Sequence, residues 1–140
     1  MTMKKKMNIY LDIDGVLISD ALESYGKPAQ HVLDFLKFIT AYHDCYWLTT
    51  HCMNGENHVK EFLQKKLPPE AMPYVSLIRP LDWKEWKTEA IDFSKDFRWI
   101  DDDVYEPEKE MLRSQNCEDK LIKINLRENP QQLKDILGQL

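Results

Sequence analysis

The sequence predicts an α/β protein: a three-layer, Rossmann-like fold with a mostly parallel five-stranded sheet flanked by helices. Short apolar, β-favouring runs alternate with amphipathic stretches along the whole chain, the pattern of a parallel sheet with crossover helices. The 140 residues suit a single domain, 1–140. Hydrophobic residues make up 43% and charged residues 31%, which supplies a core and argues against disorder.

The N-terminal residues 1–6, with Lys4, Lys5 and Lys6, read as a solvated or disordered terminus. Met7 to Ile13 reads as a buried strand ending at the turn signal Asp14-Gly15. Pro28 suits the first turn of a helix in which Val32, Phe35, Leu36 and Ile39 share a face. Cys45 to Thr49 is a second strand, and Gly55 to Lys66 a helix stopped by Pro68 and Pro69. Tyr74 to Ile78 is a short third strand. Asp82 then caps a helix that carries Trp83, Trp86, Ala90 and Phe93 inward. Phe97 to Ile100 is a fourth strand running into Asp101-Asp102-Asp103. A short helix over Pro107 to Arg113, a strand over Leu121 to Ile124 and a helix opened by Asn129-Pro130 complete the chain.

Composition narrows the function classes. The net charge of −5 gives no broad electrostatic footprint for nucleic acid, which stays a possible partner, through a local basic patch, that the overall charge does not support. Cys45, Cys52 and Cys117 are an odd number without CxxC spacing, so a disulfide framework is not expected. No run approaches the ~20 apolar residues of a membrane span. Asp12 and Asp14 interrupt the apolar segment after the lysines, so there is no signal-peptide h-region. A cytoplasmic protein with no membrane partner is expected.

In such sheets ligands sit beyond the carboxyl ends of the strands. Those ends carry Asp12 and Asp14, then Thr49, Thr50 and His51, then Asp101, Asp102 and Asp103. Lys84 and Lys87 precede the fourth strand. Several carboxylates at one point repel unless a cation lies between them, and hard oxygen donors favour Mg²⁺. Gly15 permits an immediate turn that leaves backbone N–H groups for an anion. A threonine hydroxyl and a lysine suit phosphoryl oxygens. His51, Cys52 and His58 fit no common zinc spacing. Trp83, Trp86 and Trp99 read as packing residues rather than a base-stacking platform.

This order of residues resembles the haloacid dehalogenase (HAD) superfamily. Asp12-Ile13-Asp14-Gly15-Val16-Leu17 is similar to its first motif, and Tyr46-Trp47-Leu48-Thr49 to its second. Lys87 in Trp86-Lys87-Thr88 is similar to the third, and Trp99-Ile100-Asp101-Asp102 to the fourth. The resemblance spans about residues 8 to 125 and looks like a capless member. It implies a Mg²⁺-dependent phosphomonoester phosphatase. Asp12 would be the nucleophile that forms an aspartyl-phosphate, and Asp14 the general acid and base. The metal would be held by Asp12, the Asp14 backbone carbonyl and Asp102. Thr49 or Thr50, and Lys87 ahead of Lys84, would bind phosphate. Asp101 would orient Lys87 or a metal-bound water, and His51 would face the substrate.

The implied partner is a phosphorylated substrate of open class, and an uncovered site is compatible with a homodimer. Residues 15–27 and 51–58 flank the expected crevice and would set specificity. The alternative is a non-enzymatic Mg²⁺-binding module, receiver-like or a degenerate HAD domain. A receiver-like module expects an adjacent acidic pair after strand one and an acceptor after strand three. Here the spaced pair follows strand one, and Ile78-Arg79-Pro80 follows strand three.

Overall fold

The computed structural model describes residues 5–140; Lys4 lies outside them. Five parallel strands form one sheet in the order β3-β2-β1-β4-β5. They are β1 (Asn8–Leu11), β2 (Asp44–Trp47), β3 (Arg79–Pro80), β4 (Phe97–Asp101) and β5 (Leu121–Lys123). The helices are α1 (Val32–Tyr42), α2 (Val59–Gln64), α3 (Met72–Val75), α4 (Glu106–Ser114) and α5 (Gln132–Asp135). The α/β architecture agrees with the sequence expectation.

Side chains alternate across the sheet, as the strand period of two requires. Ile9, Leu11, Cys45, Trp47 and Ile100 join one apolar core with α1, α2, α3 and α5. Tyr10, Leu48, Phe97 and Trp99 join a second core on the opposite face, with Trp83 and Leu112 of α4. Asp101 follows Trp99 by two residues, so it points to this second face.

Register aligns the strand ends. Leu11 pairs with Trp47 on one side and Ile100 on the other, which brings Asp12 level with Leu48 and Asp101. Asp12 N–H donates to the Ile100 carbonyl at 3.1 Å, and Leu48 N–H to the Leu11 carbonyl at 2.9 Å. Pairing of β1 with both β2 and β4 therefore gathers three motifs at one edge.

Several elements differ from expectation. Tyr74 to Ile78 is not a strand: Met72–Val75 is helical, and the third strand is only Arg79–Pro80. The proline at the edge has no N–H to extend the ladder. Residues 82–93 form no α-helix; only one 3-10 turn, Lys87–Ala90, is present. The Glu89 carboxylate accepts the backbone N–H groups of Lys84, Glu85 and Trp86 at 3.2, 3.0 and 2.7 Å, which holds that stretch as a loop. Asp82 caps nothing there and instead accepts Gly55 N–H. Helix α1 starts at Val32, because Pro28 pairs with Ile18 across a β-bridge. Helix α2 starts at Val59, since residues 50–55 are 3-10 turns.

At the terminus Lys5 and Lys6 are exposed, and Lys6 Nζ lies 3.3 Å from Asp44. The three cysteines are buried and free. Among the described residues, no helix is long and apolar enough to cross a membrane.

Candidate active site

Asp12, Asp101 and Asp102 each place a carboxylate oxygen within 4.8 Å of the others. Lys87 enters this group from the 3-10 turn, its Nζ 2.7 Å from Asp101 Oδ2 and 3.4 Å from Asp12 Oδ2. The lysine is 7% exposed and Asp101 fully buried. Lys84 is exposed, whereas Lys87 is buried.

The backbone of Lys87 is anchored as well as its side chain. Buried Glu108 accepts Lys87 N–H at 2.8 Å and Tyr105 N–H at 3.0 Å, tying the turn to the start of α4. Asp101 is fully engaged. It accepts Lys87 and the Trp99 indole N–H (3.2 Å) on Oδ2, and Asp103 N–H (3.1 Å) on Oδ1.

Asp102 is half-buried and packs against Gly15. A Cβ on Gly15 would fall 2.1 Å from Asp102 Oδ2, and the residue has φ +78°. Glycine is thus required twice, for the left-handed backbone and for the close approach. From Gly15 to Ile18 the N–H groups of the turn are already engaged. The N–H groups of Gly15, Val16, Leu17 and Ile18 all donate to backbone carbonyls of the same turn.

The electrostatics show an excess of negative charge. Burial pushes the Asp12 carboxyl above its ordinary value, against the pull of Lys87. Burial, then the Asp12 charge, raises Asp101 to about 7 despite Lys87. Burial, then Asp101, raises Asp102 to about 6. Burial disfavours the Lys87 ammonium, but Asp12 and Asp101 outweigh it and raise its pKa. Three carboxylates face one ammonium, so the fully ionised cluster carries two uncompensated negative charges. A hard divalent cation fits that donor set and that deficit.

Asp14 stands outside the trio. Its side chain is 62% exposed, and its Oδ2 lies 2.9 Å from His51 Nε2. His51 therefore faces Asp14 rather than standing alone as a substrate contact. Thr49 is fully buried; its Oγ1 accepts His51 N–H at 3.4 Å, and its carbonyl accepts the Trp83 indole at 2.9 Å. Thr50 is exposed and lines the cleft of about 420 Å³ that contains Asp12, Asp14, Lys87 and Asp102. Met53, Trp83 and Tyr105 form the cleft's apolar wall.

Among the other flanking residues, Tyr25 is 75% exposed, Ser19 is bonded to Ser24, and Asp20 is paired with Arg127. His51, Cys52 and His58 form no metal group among the described residues. Trp83 and Trp99 are buried, as expected of packing residues. Sequence reasoning missed Glu108 and the His51–Asp14 contact. A Tyr105-x-x-Glu108 spacing at a helix start was the signal that could have found Glu108. Compared with protein-family models, curated proteins and solved structures, the chain finds no match.

Proposed function

We propose that the chain is a Mg²⁺-dependent phosphomonoester hydrolase that works through an aspartyl-phosphate on Asp12. The observation that carries this reading is the trio Asp12, Asp101 and Asp102 with Lys87 inserted, at the ends of adjacent parallel strands. The resemblance of its motifs to HAD phosphatases supports the same reading.

Asp12 and Asp102, with the Asp14 backbone carbonyl, would hold the Mg²⁺, which offsets charge on the transferring phosphoryl group. Asp12 attacks phosphorus, and the bond to the leaving oxygen breaks. Asp14, exposed above the cluster, protonates that oxygen. Asp14 then takes a proton from the water that hydrolyses the aspartyl-phosphate. Lys87, with its raised pKa, stays charged and binds phosphoryl oxygens. Thr50 supplies the hydroxyl, because Thr49 is buried and bonded internally. Asp101 orients Lys87.

Purified protein is expected to hydrolyse 4-nitrophenyl phosphate with Mg²⁺, to lose activity with chelator, and to lose it in Asp12→Asn. Full activity in Asp12→Asn refutes the nucleophile assignment. A stable phospho-form made from acetyl phosphate, without turnover, indicates a receiver-like switch instead. Absence of Mg²⁺ binding by calorimetry indicates a degenerate domain.

A further inference from the structure

We propose that His51 is a positioning residue: its Nε2–H holds Asp14 Oδ2, so that Asp14 Oδ1 carries the proton to the leaving oxygen. The inference rests on the hydrolase reading.

Asp14 needs such a hold. It lies on the loop after β1 with an exposed side chain, and His51 is its one side-chain hydrogen-bond partner among the described residues. An unrestrained carboxylate samples several rotamers, and proton transfer is sensitive to displacements of about 1 Å.

His51 is the better fixed of the two. Its side chain is 18% exposed against 62% for Asp14. The imidazole packs on Phe62 of α2 with ring centres 4.4 Å apart. The His51 backbone N–H donates to Thr49 Oγ1, and the His51 carbonyl accepts His58 N–H at 3.1 Å. The backbone is thus fixed in the 3-10 turn while the ring rests on Phe62 of α2. Helix α2 thereby supports a group on the β1 loop.

The proposed Nε2–H donor selects an oxygen: with Oδ2 taken by His51, Oδ1 is the one left to carry the transferred proton. As the phosphorus–oxygen bond to Asp12 forms, the bond to the leaving group breaks. The electron pair left on the departing oxygen takes that proton. The Asp14 carboxylate, still held at Oδ2, later accepts a proton from the attacking water at Oδ1. The contribution of His51 therefore depends on how much protonation the leaving group needs. A nitrophenolate departs almost unaided, whereas a more basic phenolate does not.

The test compares kcat and KM for 4-nitrophenyl, phenyl and 4-methoxyphenyl phosphate in wild type, His51→Ala and His51→Gln, with thermal melts to establish folding. His51→Ala is expected to lower kcat for 4-methoxyphenyl phosphate about tenfold more than for 4-nitrophenyl phosphate, with KM changed less than about threefold. His51→Gln, which keeps an N–H donor at similar reach, is expected to restore most of that difference. Independently of turnover, long-range proton–nitrogen NMR of the metal-free protein is expected to show His51 Nε2 protonated. Asp14→Ala should shift that signal.

Equal loss across the three esters overturns the proposal. So does a KM rise with unchanged kcat, which would make His51 a substrate contact. A wild-type rate that already falls as steeply with leaving-group basicity as that of His51→Ala, or an unprotonated Nε2, overturns it as well. In each of these cases hydrolysis by the wild type leaves the phosphatase reading standing. Failure of the wild type to hydrolyse any ester removes both.

Discussion

Lys87→Met keeps the length and apolar stem of the side chain and removes its charge. Lys87 Nζ sits 2.7 Å from Asp101 and 3.4 Å from Asp12, all three being buried. At an effective dielectric near 20, those separations correspond to gross attractions of about 6 and about 5 kcal/mol. Desolvation of several kcal/mol per ion offsets much of this. The net loss is read from linkage. Asp101 has a folded pKa of about 7 with Lys87 present, and without it the pKa rises further. For an acid with a raised folded pKa, stability is present below the unfolded pKa and lost as pH rises through the folded one. Below about pH 6 both folded forms hold the Asp101 proton, and the two proteins differ little on this account.

Above about 7 the wild type releases the proton, while the variant, with its higher Asp101 pKa, holds it to higher pH. At about pH 8.5 that difference is worth at most about 2 kcal/mol from Asp101 alone. Asp12 acts in the same direction, bringing the total toward the ~3–5 kcal/mol of a broken buried pair. Melting followed by circular dichroism in chelator should show a deficit of roughly 10–20 °C at high pH that shrinks markedly near about pH 5.5. A deficit of the same size at both pH values would mean that Lys87 contributes by packing, and the electrostatic account would fail.

Three other outcomes are expected from the same geometry. Gly15→Ala forces a Cβ onto Asp102 at φ +78°, so it should destabilise by about 1–3 kcal/mol and weaken Mg²⁺ binding at least ~tenfold by calorimetry; unchanged affinity would remove Asp102 from the metal site. Glu108→Ala leaves two backbone N–H groups without their acceptor and should cost roughly 2–4 kcal/mol in denaturant unfolding, with kcat reduced through Lys87. An effect within experimental error would show that the turn is held otherwise. The raised Asp102 and Asp101, at about 6 and about 7, contribute stability that is full below their unfolded values and lost as pH rises through those values. Metal-free protein should therefore melt lower at neutral than at mildly acidic pH, and Mg²⁺ should restore the loss at neutral pH; a metal-free melting temperature that rises over this range would contradict the burial of the cluster.

Local rules reached some elements and missed others for identifiable reasons. Ile9, Tyr10 and Leu11 put large side chains on both faces of β1, so that strand was legible, as was α4 with its early proline. Trp83, Trp86, Ala90 and Phe93 mimic a helical stripe, yet the Glu89 carboxylate takes the N–H groups that a helix would need. A side chain competing for backbone donors leaves no mark in hydrophobic periodicity. The Asp101–Asp102 ambiguity was half soluble, since Asp101 must share a face with Trp99. Which face held Lys87 depended on how the 3-10 turn packs against β4, and no local pattern encodes that.

Alternation of strands with connections, and the acidic residues at the ends of β1 and β4, were readable from chemistry within a few positions along the chain, whereas the place of β3 was not. That β1 lies between β2 and β4, that Lys87 serves Asp101 and Asp12, and that His51 meets Asp14 depended on the folded chain. Those pairings join residues 14 to 89 positions apart, and they depend on which buried charges and backbone groups find partners across the sheet.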